Sequence, residues 1–170
     1  MIRTIAFLLL LSVSTFSNKI MAQNSSKSPC QEKEYKQFDF WLGNWKVYDT
    51  KGKLIGTNNI VKLTNACGMQ ENWISKTSSS KGTSYNYYNK SDNSWNQVWI
   101  DNSGFSLELK GNYTNNKMIL KSKLVNGKKG NFYHRITWTN NPDGSVTQIW
   151  DYISPQGTII QEAFRGNYKK

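Results

Sequence analysis

A chain of 170 residues carrying 22 Lys and Arg against 11 Asp and Glu has a formal net charge of +11 and room for one ordinary domain with its own core. The lysines are scattered singly, with Lys128-Lys129 and Lys169-Lys170 the only basic doublets, which argues against the concentrated basic stripe of a nucleic-acid binder. Two cysteines and one histidine cannot furnish a conventional four-ligand zinc site, and no Cys-x-x-Cys redox pair, Gly-x-Ser-x-Gly elbow, phosphate loop or calcium loop is present.

The chain opens with Met1-Ile2-Arg3 and the apolar run "IAFLLLLSVSTF", too short for a comfortable membrane span and followed by Met21-Ala22-Gln23 as a cleavage region. The pattern predicts a signal peptide over residues 1–22 and a secreted or periplasmic mature chain without a transmembrane anchor. Removing Arg3 and Lys19 lowers the charge to about +9. Residues 23–36 read as a flexible lead-in and residues 37–170 as the folded domain. In an oxidising compartment Cys30 and Cys67 are expected to pair, tying the lead-in to the start of a strand.

Within the domain, "EKEYKQFDFWLG" has the pattern for one or two helical turns before Gly43. Ten strand-like runs then follow at spacings of about 10–14 residues: 44–49, 54–65, 68–76, 83–89, 94–100, 105–113, 117–125, 131–139, 145–153 and 159–168. Asn, Asp, Lys and Gly corners separate them, as hairpins require. Short connections favour a meander in which each strand pairs with its sequence neighbour, and closing the meander removes both edges. The expectation is an all-β, closed, antiparallel up-and-down barrel of about ten strands, with residues 44–49 pairing with 159–168.

Alternation assigns faces. Phe105, Leu107 and Leu109 share one face; Phe132, His134, Ile136 and Trp138 another; Val146, Gln148, Trp150 and Tyr152 a third. In 117–125 the alternation slips near Ser122. Gln97 lies between Trp95 and Trp99, Gln148 between Val146 and Trp150, and Glu71 shares a face with Met69 and Trp73. Buried polar groups need partners, so the repetition points to a partly wet, aromatic-walled interior. Counting leaves open whether Ser84, Asn86 and Tyr88 or Thr83, Tyr85 and Tyr87 face inward.

Gly43-x-Trp45 after a short helical turn resembles the start of a lipocalin, in which the Trp packs across the closed end, often beside an Arg from the last strand. Arg165 is the candidate for that Arg. A fuller likeness covers residues 30–168. "FDFWLGNWKV" followed by Cys67 and Glu71-Asn72-Trp73, then Ser84, Asn86, Tyr88, Trp95, Gln97, Trp99 and Asp101, and finally Thr137, Trp138, Gln148, Trp150, Phe164, Gly166 and Tyr168, resembles a family of exported bacterial lipocalin-like proteins to which no reaction is assigned. The resemblance implies a barrel and export, and it favours Ser84, Asn86 and Tyr88 as the inward set.

The leading functional expectation is a cavity for a small, partly apolar or amphipathic molecule, lined by Glu71, Trp73, Asn86, Tyr88, Gln97, Trp99, Trp138, Gln148 and Trp150. One alternative is an enzyme using the same pocket with Glu71 as acid or base; another is a protein acting through its surface. No catalytic residue and no metal is assigned. No cofactor is expected, with haem bound through His134 as the alternative. Asp101 reads as the cap of the Asp101–Gly104 turn.

Overall fold

The computed structural model describes residues 29–63 and 66–170; the expected signal at 1–22 and the first part of the lead-in lie outside the described residues. Two 3-10 turns, Lys33–Lys36 and Asp39–Trp41, precede eleven strands. These are β1 (Gly43–Tyr48), β2 (Leu54–Lys62), β3 (Gly68–Ser75), β4 (Lys81–Asn89), β5 (Ser94–Asp101), β6 (Ser106–Thr114), β7 (Lys117–Lys121), β8 (Val125–Gly127), β9 (Gly130–Asn140), β10 (Val146–Ile153) and β11 (Ile159–Lys169). All but β8 form one antiparallel meander, β7 pairing directly with β9, and β11 returns to β1. Lys46, Val47 and Tyr48 stand opposite Lys169, Tyr168 and Asn167, so the barrel is closed with ten strands as the sequence predicts.

Four hairpins share one local recipe. Asp49, Asp101, Asn141 and Ser154 each begin a turn that ends three residues later in a glycine of positive φ, namely Gly52, Gly104, Gly144 and Gly157. In each, the glycine N–H donates to the carbonyl of the first residue, the arrangement of a type I turn closed by a left-handed residue. Asp101 caps its turn as expected, its Oδ1 accepting from the backbone N–H groups of Ser103 and Phe105. The β6–β7 turn instead places Asn115 and Asn116 both at positive φ, the two-residue hairpin that asparagine tolerates.

The run 117–125 is not one strand. β7 stops at Lys121, and the buried Ser122 hydroxyl accepts from the His134 backbone N–H at 3.0 Å while donating to the Lys123 carbonyl at 2.6 Å. The side chain thereby competes with the ladder. The chain turns away, and β8 forms a separate short hairpin on β9, from Val125 opposite Phe132 to Gly127 opposite Gly130.

The first turns plug one end of the barrel. Phe38 and Trp41 are fully buried and stacked at 5.0 Å between ring centroids, and Phe38 also meets Trp95 at 5.6 Å and Trp138 at 5.2 Å. Trp45 donates its indole N–H to the Trp41 carbonyl at 2.8 Å, fixing the plug to β1. The cation over Trp45 is Lys170, at 4.9 Å from its ring, rather than Arg165. Arg165 instead forks onto Glu162 three residues away, because alternation along β11 sends Phe164, Gly166 and Tyr168 inward and Arg165 out. A Cys30–Cys67 disulfide fastens the segment before the plug to the β2–β3 corner at this same end.

Candidate functional site

Above the plug the interior becomes polar. Glu71 on β3 is 4 % exposed; its Oε1 accepts from Asn58 Nδ2 of β2 at 2.7 Å and its Oε2 from Ser84 Oγ of β4 at 2.6 Å. Asn86 Nδ2 donates to Ser84 Oγ at 2.9 Å, and Gln97 Nε2 of β5 donates to Asn86 Oδ1 at 2.8 Å. On the other side Asn58 Nδ2 reaches the Tyr168 hydroxyl of β11 at 3.3 Å, and Tyr168 donates to Gln148 Oε1 of β10. Six strands thus share one buried layer, in which adjacent inward positions are occupied by Asn, Glu, Ser and Gln rather than by aliphatic residues. The Asn58 carbonyl oxygen is buried without a partner among the described residues.

On this layer stands a cavity of about 380 Å³ opening toward the β3–β4 loop. Its floor includes Glu71, Gln97, Gln148 and Tyr168; Trp73, Trp99, Trp150, Phe105 and Phe164 form much of its wall; Ser75, Thr77, Ser78 and Ser80 stand at the rim. The volume falls within the usual span for small-molecule pockets, as does the mixture of apolar walls and few polar groups. Trp73 and Trp99 lie flat because their strand neighbours are glycines: a β-carbon at Gly56 would overlap the Trp73 ring, and one at Gly82 the Trp99 ring.

Burial raises the Glu71 pKa from 4.5 to about 7, although the hydrogen bonds from Ser84 and Asn58 pull it back. Burial also pushes the Tyr168 phenol well above its ordinary range, with the Glu71 charge adding to the effect. The floor therefore holds one carboxyl that exchanges a proton near neutrality and one phenol that keeps its own.

Six of the nine residues expected to line the pocket lie on it, and three lie elsewhere. Glu71, Trp73, Gln97, Trp99, Gln148 and Trp150 line the cavity. Asn86 lies within the polar layer, behind Gln97. Tyr88 packs edge-on to Tyr35 at 5.2 Å beside the plug, and Trp138 is fully buried against Phe38 and Trp41. Asn58, Ser84, Phe105, Phe164 and Tyr168 belong to the site and are absent from the expected set. Alternation of Gly56, Asn58 and Ile60, and of Phe164, Gly166 and Tyr168, is the signal that identifies three of them.

No protein-family model and no curated protein matches the chain. The closed ten-stranded barrel with a helical turn at its closed end fits a lipocalin-like fold.

Among the described residues no cluster of three His, Cys, Asp or Glu is placed to hold a metal ion. His134 lies in an aromatic cluster with Phe105, Phe132, Trp150 and Tyr152. Its Nδ1 accepts from the Trp150 indole at 3.0 Å, which puts the imidazole proton on Nε2, and burial holds its pKa down. Binding a haem iron through Nε2 would move that proton to Nδ1 and set two donors against each other. The residues around His134 do not fit an axial haem ligand.

Proposed function

We propose that the protein is an exported barrel that binds a small, partly apolar molecule in this cavity. The observation that carries the reading is the combination of three tryptophan walls with a floor of Glu71, Gln97, Gln148 and Tyr168 around about 380 Å³ of space. A dry core has no use for that floor, since buried polar groups cost roughly 1–3 kcal/mol each when unpaired. Export is supported by the leader pattern and by the Cys30–Cys67 bridge, which belongs to oxidising compartments. Among the described residues no helix is long and apolar enough to cross a membrane.

Native mass spectrometry of protein taken from its own host tests the reading without presupposing the ligand. A bound small molecule, released on denaturation, is the expected result. Trp99→Ala should weaken its binding by roughly 1–3 kcal/mol if the ring is a wall of the site. Loss of Trp99 without any change in binding would place the ligand elsewhere.

A second reading, an enzyme using the same pocket, is favoured by one observation: Glu71 faces the cavity with a pKa of about 7, where a general acid or base is most effective. Its signature is turnover abolished in Glu71→Gln while binding persists.

A further inference from the structure

The charges that line the cavity are not those of the rest of the molecule. Basic residues outnumber acidic ones 22 to 11 in the chain, yet the cavity lining contains Glu71 and Asp101 and, among the described residues, no Lys, Arg or His. Lys76 and Lys81 flank the rim loop without lining the cavity.

The polar atoms left over at the floor have the same bias. Gln97 is 2 % exposed and spends its Nε2 on Asn86 and Ser84, which leaves its carbonyl oxygen for the cavity. Ser84 gives its proton to Glu71 and Asn58 gives its amide to Glu71 and Tyr168, so neither offers a donor upward. Glu71 Oε2 and Gln97 Nε2 meet on the single Ser84 hydroxyl, at 2.6 and 3.4 Å, so the carboxylate and the Gln97 amide group are neighbours on the floor. Gln148, whose oxygen accepts from Tyr168, is the one floor residue among those described that keeps its amide N–H groups uncommitted to the layer. A carboxylate or phosphate ligand would find Glu71 and acceptors there. A ligand with N–H donors and positive charge would find partners, and the indole faces above attract cations as well as apolar surface.

We propose that the cavity takes an organic cation, an amine carried on an apolar or aromatic body, with its ammonium on Glu71 and the Gln97 carbonyl oxygen and its body between Trp73, Trp99 and Trp150. The inference rests on the binding reading above and names the ligand class for that site. Burying an ammonium is costly unless it is paired and hydrogen-bonded, and Glu71 provides the counter-charge. Binding then requires ionised Glu71. Of the groups facing it, Asn58 from β2, Ser84 from β4, Gln97 from β5 and Gln148 from β10 do not titrate; Tyr168 from β11 stays neutral; Asp101 at the rim has a pKa held low by Ser103 and remains charged. Affinity for an amine therefore rises with pH until Glu71 is ionised, and each unit below its pKa of about 7 weakens binding by up to about tenfold.

The test uses three probes of similar size, 2-phenylethylamine, 2-phenylethanol and 3-phenylpropanoate, in calorimetric titrations of the intact protein at pH 8 and pH 5.5. The amine should bind roughly tenfold or more tighter than the alcohol at pH 8, and the preference should shrink at pH 5.5. The carboxylate should bind most weakly at pH 8. Glu71→Gln should erase the preference for the amine while keeping the alcohol, and the wild-type pH profile gives the same answer if that variant does not fold. Alcohol binding equal to amine binding at pH 8 overturns the cation and leaves the cavity as a binding site. No heat and no change in tryptophan fluorescence with any of the three overturns both.

Discussion

The benzene edge of the Trp99 indole lies over Gly82, in the space that a side chain there would need. Gly82 pairs with Asp101 and Ser84 with Trp99, so the ring leans diagonally across the β4–β5 ladder to reach it. The same relation holds between Trp73 and Gly56. Two cavity walls therefore owe their position to missing side chains.

Gly82→Ala should displace the Trp99 ring into the cavity. Overpacking of this kind costs roughly 1–3 kcal/mol, read as a lower urea midpoint with an unchanged slope. Ligand affinity should fall with it. An alanine accepted without loss of stability or binding would mean that the ring moves freely.

Glu71 gives stability a pH dependence of unusual sign. Its folded pKa, about 7, is above the ordinary 4.5, so between those values the folded chain holds a proton that the unfolded chain has lost. The contribution is full below pH 4.5 and is lost as pH rises to about 7, by roughly 3 kcal/mol. His134 acts oppositely: its depressed pKa makes the unfolded chain the proton binder, so its contribution falls as pH falls through the histidine range. The two are separated by comparing wild type with Glu71→Gln at each pH. The stability difference should shift in favour of the variant from pH 4.5 to 7; a constant difference would mean that Glu71 titrates normally.

The disulfide links residues 37 apart. By loop entropy its removal in the Cys30→Ser/Cys67→Ser variant should cost roughly 3–4 kcal/mol. Because the bridge lies at the plugged end, far along the barrel from the rim loop, probe binding measured at low denaturant should be unchanged. Altered affinity would show that the plug and the cavity are coupled.

Haem titration into wild type and His134→Ala should give the same absorbance, since Nδ1 is occupied by the Trp150 proton. The substitution should instead destabilise the barrel by roughly 1–3 kcal/mol, the cost of leaving the Trp150 N–H without an acceptor. A Soret shift present only in the wild type would establish iron ligation.

Turn chemistry and alternation made the barrel legible: Asp, Asn or Ser followed by Gly three residues on marks four hairpins, and the inward set on β5, β9 and β10 follows directly from counting by two. Ser122 shows the limit. A hydroxyl that bonds to its own and neighbouring backbone ends β7, and nothing in the alternation says where the chain goes next. The site was legible as a face but not as a height. Trp138 and Trp99 have the same local pattern, yet one lies in the plug and the other walls the cavity, because height depends on strand stagger and on where Phe38 and Trp41 insert. Asn58 needs more than alternation: counting by two turns it inward beside its β3 neighbour Glu71, but its other partner, Tyr168, is brought to it only by closure of the barrel.

The seam between β1 and β11 joins the two chain ends of the barrel through only three residue pairs, against eight between β10 and β11. Within the ten-stranded barrel it is the ladder with the least backbone to hold it, and so the natural place for breathing motions to begin. The Asn58–Tyr168 hydrogen bond reaches across β1 from one neighbour to the other and acts as an internal staple over that seam. A guest resting on Glu71 and Tyr168 would tighten the staple from within. The amides of Lys46 and Tyr48, which point toward β11, should then exchange with deuterium more slowly when the cavity is filled, turning the weakest ladder of the barrel into a label-free gauge of occupancy.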